Sequence, residues 1–316
     1  MHILVTNDDG PPCKQSSPYV LPFVRTLEAA GHTVSVILPS TQRSWIGKAH
    51  LVGQDVSAHY YWPDKHHDAA PQSDSPPEDS HPWVLVNSTP ASCSQLGLNH
   101  VFKSRPKVDL VVSGPNYGRN TTAVFALSSG TLGAALEAAV SGYRAIALSF
   151  AFFDRENKPE AVSASCRQSL RVIEWLAENG QWDAGRLFTV NVPLKEEVET
   201  QKVVWTKVLQ NAWTGSSCFE ETPGVVEDPQ TEEAELRKQE SKEGGVEKGS
   251  SEDDRDGDLW KPHHFKWAPK FKDVFQSVQD AGPGSDGWAV KEGQTSITAL
   301  RANFEHINGF SGEVKL

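Results

Sequence analysis

Two neighbouring carboxylates, Asp8 and Asp9, sit in the turn Asn7-Asp8-Asp9-Gly10, directly behind the apolar run His2 to Thr6. Adjacent like charges repel, and a cation or hydrogen-bond donors relieve the repulsion. The pair alone allows two readings: a metal site, or one Asp capping a helix while the other is solvated. A second polar run, Pro39 to His50, offers Arg43, Ser44, Lys48 and His50. Hydroxyls and cations of this kind suit a phosphate ester, but they are also ordinary in polar turns. The third run is more specific: Ser113-Gly114-Pro115-Asn116-Tyr117-Gly118-Arg119-Asn120, then Ser128-Ser129-Gly130-Thr131. Glycines let backbone approach a ligand, Ser-Gly-Thr at a helix start presents N–H groups and hydroxyls to an anion, and Asn adds neutral oxygens or N–H groups. Turn and cap formation explains each segment's composition but not their clustering in one strand-to-helix connection.

Other reactive side chains carry less. His2, His32, His100 and His306 fall in or beside regular elements and read as packing or surface residues. The pairs His66-His67 and His263-His264 lack the helical spacing of a zinc site. Cys13, Cys93, Cys166 and Cys218 are widely spaced, form no CxxC pair and are expected to be free thiols. The stretch Trp260 to Trp267 has the chemistry to stack a base, but aromatic residues there more often mark a return to the core.

The elements that position these runs are legible from periodicity. His2 to Thr6 reads as a buried strand, Tyr19 to Leu27 as an amphipathic helix and Val34 to Leu38 as a second strand. The alternation continues: strand Trp83–Val86, helix Ser94–Phe102, strand Val108–Val112, helix Thr131–Val140, strand Ala145–Phe150, helix Ser169–Ala177 and strand Phe188–Val192. Apolar strands alternating with amphipathic helices predict an α/β fold with a Rossmann-like three-layer core and a mostly parallel sheet. Ligands of such sheets bind at the carboxyl ends of strands, so function is expected in the loops after Thr6, Leu38, Val86 and Val112. Val203 to Val208 and Thr295 to Leu300 alternate like antiparallel strands of a carboxyl-terminal extension. Val56 to Pro82, with five prolines and no periodicity, reads as a mobile insertion.

The 316 residues carry 41 acidic and 30 basic side chains, a net charge of −11. Residues 220–258 hold fifteen of the acids and only five bases, which leaves the rest with 26 acids and 25 bases. That stretch has no aromatic residue and is expected to be a disordered insertion. The balance argues against tight, nonspecific binding to nucleic acid. No window approaches the roughly 18 apolar residues of a membrane helix. The start lacks the features of a secretory signal, so a cytoplasmic location without membrane attachment is expected.

The order ILVTNDDG, Arg43-Ser44, Ser88-Thr89-Pro90-Ala91-Ser92-Cys93, VDLVVSGPNYGRN and SSGTLGAALEA resembles the SurE survival-protein nucleotidases. The likeness is strong from Met1 to about Phe150, weaker through TVNVP, and resumes at FKWAPKF, SDGWAVKEG and QTSITAL; fungal-type members carry comparable insertions. The resemblance implies one phosphatase domain over residues 1–316. It would be a homodimer or homotetramer that hydrolyses nucleoside 5′- and 3′-monophosphates or other small phosphate esters. It also implies a divalent cation held by Asp8, Asp9, Ser44 and Asn116, an all-oxygen set that suits Mg²⁺ or Mn²⁺ rather than zinc. Asn120, Ser129, Gly130 and Thr131 would meet the phosphate, with Asn7 shaping the loop beside them. Catalysis would rest on Asp8, Asp9, Asn120 and Ser129, with an Asp orienting water. Departures from the family pattern cluster around the pocket: Trp45 where glycine is usual, Ser88 opening the Gly-Thr-Pro turn, Pro115 within SGIN and Ser128 in place of Tyr. Two other classes compete: a silent scaffold recruiting partners through the acidic insertion, and a nucleotide-sugar transferase. Deleting residues 220–258 is expected to leave activity intact.

Overall fold

The structure, a computed structural model, describes residues 1–63, 82–154, 156–214, 217–222, 263–305, 308 and 313. Strand β1 (His2–Thr6) is buried along its whole length. Ile3 and Val5 point into one hydrophobic core and Leu4 into a second on the opposite face. A strand covered on both sides has no polar face, which is why its sequence is an unbroken apolar run. Helices α1 (Val20–Ala29) and α5 (Pro159–Asn179) close the first core, and α2 (Pro90–Leu96) and α4 (Gly130–Val140) close the second. These are the three layers expected from the alternation of elements.

Eight further strands join β1 in one sheet: β2 (Thr33–Pro39), β3 (Ala58–Tyr61), β4 (Trp83–Val86), β5 (Leu110–Tyr117), β6 (Ala145–Ala151), β7 (Arg186–Pro193), β8 (Val203–Trp205) and β11 (Thr295–Arg301). Their order is β3-β4-β2-β1-β5-β6-β7-β11-β8. The six strands from β4 to β7 are parallel, while β3 and β11 run antiparallel to their inner neighbours. From β1 the chain moves outward through β2 to β4, then crosses back to start β5 on the other side of β1. The direction of winding therefore reverses between β1 and β5. At such a switch point the strand-end loops part and leave a crevice.

Several expectations change in detail. Strand β5 does not stop at Val112 but runs to Tyr117, so Ser113 to Tyr117 is strand rather than loop. Its register with β6 slips between Ser113 and Asn116, across the cis Gly114–Pro115 bond. Gly114 has φ +125°, and a Cβ there would stand 2.1 Å from the Leu148 carbonyl oxygen, so the close approach of β5 to β6 requires glycine. Helix α2 begins at Pro90, not Ser94, because Thr89 Oγ1 caps it by accepting from Ser92 N at 3.1 Å; a wider turn, Gly97–Val101, continues it. Strands β8 and β11 pair parallel with each other, and because β11 is antiparallel to β7 both run antiparallel to the six central strands, as expected of the carboxyl-terminal extension.

Within the stretch read as a mobile insertion, Ala58–Tyr61 forms edge strand β3; residues 64–81 lie outside the described residues. Within the acidic stretch, Glu220 to Thr222 belongs to β9 (Phe219–Thr222), which pairs antiparallel with β10 (His264–Trp267) in a separate ribbon. Residues 223–258 lie outside the described residues. Helices α3 (Thr122–Ser128), α6 (Lys272–Asp280) and α7 (Asp286–Lys291) complete the α-helices among the described residues. A third, smaller core joins Val124 and Phe125 of α3 to Phe271 and Val274, with Trp45, Trp213, Trp267 and Phe275 packed against it.

Candidate active site

The crevice between β1 and β5 is an open cleft lined by Asp8, Ser44, Trp45, Asn116, Tyr117, Gly118, Arg119, Asn120, Phe125, Ser128 and Ser129. Loops from β1, β2 and β5 meet there, as expected. The loop after Val86 does not line it and instead braces the second loop from behind. Thr89 Oγ1 donates to Ala49 O at 2.6 Å, and the Ser92 hydroxyl stands 3.0 Å from His50 Nδ1.

Asp8 and Asp9 are 3% and 1% exposed. Thr131 Oγ1 donates to Asp8 Oδ1 at 2.6 Å and lies 3.2 Å from Asn116 Oδ1, while Asn116 Nδ2 is spent on Gly118 O at 2.8 Å. That last bond turns the Asn116 oxygen toward Asp8. Asp9 Oδ2 accepts from Tyr117 N at 2.6 Å, which ties the acidic loop to the end of β5. Helix α4 presses on Asp8: a Cβ on Gly130 would meet Asp8 Cβ at 2.8 Å and Ile46 Cγ2 at 2.9 Å. Helices α3 and α4 meet at a 67° bend, and Ser129 at the break caps α4 by accepting from Leu132 N at 3.1 Å.

The phosphate set inferred from family resemblance divides. Ser129 and Asn120 line the cleft, with Asn120 held by Ser149 Oγ and by Asn191 Oδ1, each at 2.9 Å. Gly130 and Thr131 lie behind them, where their contacts are with Asp8. Asn7 is a loop-builder rather than a cleft residue: its amide donates to Gly10 O and accepts from Gly10 N, at 2.9 and 3.0 Å. Gly10 itself has φ +82°, with Thr41 backbone 3.3 Å from a would-be Cβ.

The second loop is clamped to α4. Gly47 N donates to Ser128 O at 2.9 Å, and a Cβ on Gly133 would come within 2.2 Å of Gly47 O. Lys48 Nζ and His50 Nε2 stand 2.5 and 3.4 Å from Glu137 Oε2, and Gln95 Nε2 donates to Oε1 at 2.5 Å. Burial pushes the Glu137 carboxyl up, but Lys48, Gln95 and His50 together outweigh it and hold the group below its ordinary range. The four cysteines are free thiols. Burial pushes the Cys93 thiol far up, so this member of the Ser88 to Cys93 motif stays protonated and is no nucleophile.

Sequence reasoning assigned no role to several cleft residues, among them Arg119, Trp45 and Phe125. Arg119 was visible between Gly118 and Asn120, and Trp45 as a departure from the family glycine. Phe125 left no local signal.

The family model described as survival protein SurE matches residues 3–215. The chain belongs to the SurE family. A SurE described as a 5′-nucleotidase, from Nitratidesulfovibrio vulgaris strain DP4, is 35% identical over 55% of this chain and 61% of its own length. Another, from Maridesulfovibrio salexigens, is 30% identical over 67% of this chain and 75% of its own. The probable tubulin–tyrosine ligase PBY1 of Saccharomyces cerevisiae is 32% identical across 100% of this chain but only 43% of its own length. The chain thus spans less than two thirds of the length of PBY1 and of the Nitratidesulfovibrio relative. The crystal structure of a SurE protein from Aquifex aeolicus superposes with a TM-score of 0.61, covering 96% of this chain and 95% of that one at 21% identity. That likeness carries the fold of SurE. The cleft described above lies within the matched residues.

Among the described residues no group of three His, Cys, Asp or Glu side chains could hold a metal. A cation at the SurE cleft would depend on the carboxylate pair supplemented by neutral oxygens. The donor set fits one of the hard kind: Asp8 and Asn116 bring oxygens to a shared hydroxyl, and Ser44 lines the same cleft.

Proposed function

We propose that this SurE protein is a divalent-cation-dependent phosphomonoesterase that hydrolyses nucleoside 5′- and 3′-monophosphates to nucleoside and phosphate. The observation that carries the reading is the convergence, in one cleft, of the Asp8 and Asn116 oxygens with Ser44, Ser129, Asn120 and Arg119. Asp8, Asp9, Ser44 and Asn116 would hold Mg²⁺ or Mn²⁺. Such a cation, when bound, supplies acidity to a water and neutralises charge on the phosphoryl group.

The protein's own groups do the rest. Asp8 or Asp9 accepts a hydrogen bond from the attacking water and aims it in line with the ester bond. Asn120, Ser129 and the Arg119 guanidinium face the phosphoryl oxygens and are held before reaction, so they stabilise the charge without reorganising. The water oxygen bonds to phosphorus, the ester oxygen leaves, and a proton from the water completes the nucleoside hydroxyl. No covalent enzyme intermediate is needed.

The test is phosphate release from AMP and 3′-AMP without any acceptor, before and after chelation and after adding back Mg²⁺ or Mn²⁺. Wild type should release phosphate only with metal, and folded Asp8→Asn and Asn116→Ala proteins should lose most of it. Normal metal-dependent turnover by both variants would overturn the assignment. Release only in the presence of a sugar acceptor would make the protein a transferase, and inactivity without metal binding would make it a scaffold.

A further inference from the structure

The cleft is lined by two chemically different sets of side chains. Asp8, Asn116, Asn120 and Ser129 form the polar set; Trp45 and Phe125, whose ring centroids lie 5.6 Å apart, form the aromatic one, and no step of the hydrolysis uses them. Trp45 directly follows Ser44, a proposed cation ligand, and its backbone is left-handed at φ +59°. A bulky residue rarely adopts that conformation, and it persists only where the surroundings hold it. The indole is held by four rings, with centroids at 5.6 Å for Phe125, 5.7 Å for Trp267, 5.9 Å for Phe271 and 6.4 Å for Trp213. Phe125 in turn stacks on Phe271 at 5.7 Å and 25°.

The aromatic lining also continues beyond the cleft. Gly118, Arg119 and Phe125 are shared with a small adjoining hollow that Phe152 and Phe275 complete. The Arg119 guanidinium lies 5.6 Å from the Phe275 ring and 5.7 Å from Phe153, so a cation laid on aromatic faces borders both spaces. A plain phosphate needs only the polar set. A rigid aromatic wall in the same cleft suits a planar ring carried by the alcohol part of the ester, as a base is carried by the ribose.

Resting on the phosphomonoesterase reading, we propose that Trp45, backed by Phe125 and Phe271, is the stacking face for the nucleobase of the substrate. It makes this chain selective for nucleoside monophosphates over sugar phosphates that carry the same phosphoryl group. Stacking on a preformed ring is tolerant of base identity, since every base has a π face. Selectivity is therefore for a leaving alcohol that carries any aromatic base rather than for one base.

The experiment compares kcat/KM for AMP and for ribose 5-phosphate in the full-length, metal-loaded protein and in Trp45→Leu and Trp45→Phe. It also measures adenosine binding by titration calorimetry. The AMP to ribose 5-phosphate ratio should fall about ten- to a hundredfold in Trp45→Leu, mostly through KM for AMP, and recover largely in Trp45→Phe. Adenosine binding should weaken in parallel. If the Leu variant does not fold, Trp45→Gly, which removes the ring and suits positive φ, replaces it. An unchanged ratio, with both esters affected alike or neither affected, would overturn the proposal. A wild type that hydrolyses neither ester yet binds adenosine through Trp45 would end the phosphatase reading and keep the subsite. Adenosine binding indifferent to Trp45 would end the subsite itself.

Discussion

At the scale of single residues, the site depends on oxygens turned in one direction by inexpensive local bonds. Thr131 donates to Asp8 and lies beside Asn116, and Asn116 spends its nitrogen on Gly118 O. Gly130 leaves room for that arrangement, because any Cβ would meet Asp8 Cβ at 2.8 Å. Gly130→Ala should therefore displace the Asp8 carboxylate and reduce kcat on AMP by about a hundredfold, the usual effect of roughly 1 Å of misplacement. Circular dichroism and thermal unfolding should show the fold retained; near-normal kcat would mean the carboxylate does not need that position. Glu137 gives a second prediction. Its folded carboxyl is held below the ordinary value of 4.5, so its stabilisation is present above that pH and disappears as pH falls through the folded value. Glu137→Gln should cost about 1–3 kcal/mol at pH 7 by denaturant unfolding. The gap between variant and wild type should close on acidification below the ordinary value; a gap that persists there would show that ionisation is not the source.

At the scale of elements, the ribbon of β9 and β10 is an arm of the aromatic wall. Trp267 pairs across from Phe219, packs edge-on against its ring at 5.2 Å, and reaches Trp45 at 5.7 Å. The acidic stretch bounded at 220–258 by composition thus begins inside a structured strand. Excising 220–258 removes most of β9, whereas excising 223–262 and closing with Asn-Gly leaves both strands and a short turn. The shorter excision should keep turnover of AMP near wild type, and removal of 217–267 should raise KM for AMP while still releasing phosphate from ribose 5-phosphate. Equal loss in both excisions would place residues 223–262 in the site. The α/β alternation was legible because the central strands are short unbroken apolar runs and the helices between them carry a period of 3.6. The run Ser113 to Tyr117 was read as loop because Gly, Pro and Asn are turn-forming, and the neighbouring β6 backbone overrode that preference. Strand β3 escaped notice for a similar reason: four residues at a sheet edge, half exposed, carry too little pattern.

At the scale of the whole molecule, a buried carboxylate joins the aromatic contacts in fastening the carboxyl-terminal part to the site. Asp286 at the start of α7 accepts from Thr122 N at 3.0 Å, Leu209 N at 2.9 Å and Gly287 N at 2.7 Å. Thr122 opens α3, two residues beyond Asn120, with φ +72°. Asp286→Ala would leave three backbone donors without that acceptor, each worth about 1–3 kcal/mol when buried. Thermal and urea unfolding should show a loss on the order of 3 kcal/mol or more, with kcat falling as α3 loosens. A change below about 0.5 kcal/mol would mean that water replaces the carboxylate without penalty.

By itself the sequence determined the order of elements, the sidedness of the sheet and the chemical types at its strand ends, because these follow from local bonding and side-chain period. Asp8, Asp9, Ser44, Asn116, Asn120 and Ser129 were all readable in that way, the roles of several through family resemblance. Only the tertiary structure decided which loops face one another, that the loop after Val86 braces the site from behind, and that Asn7 is consumed within its own turn. It also brought Trp45 against Phe271 and Trp267 from the far end of the chain. Strand order and such distant contacts are selected by the sum of many long-range packings against chain entropy, and no single segment carries that sum.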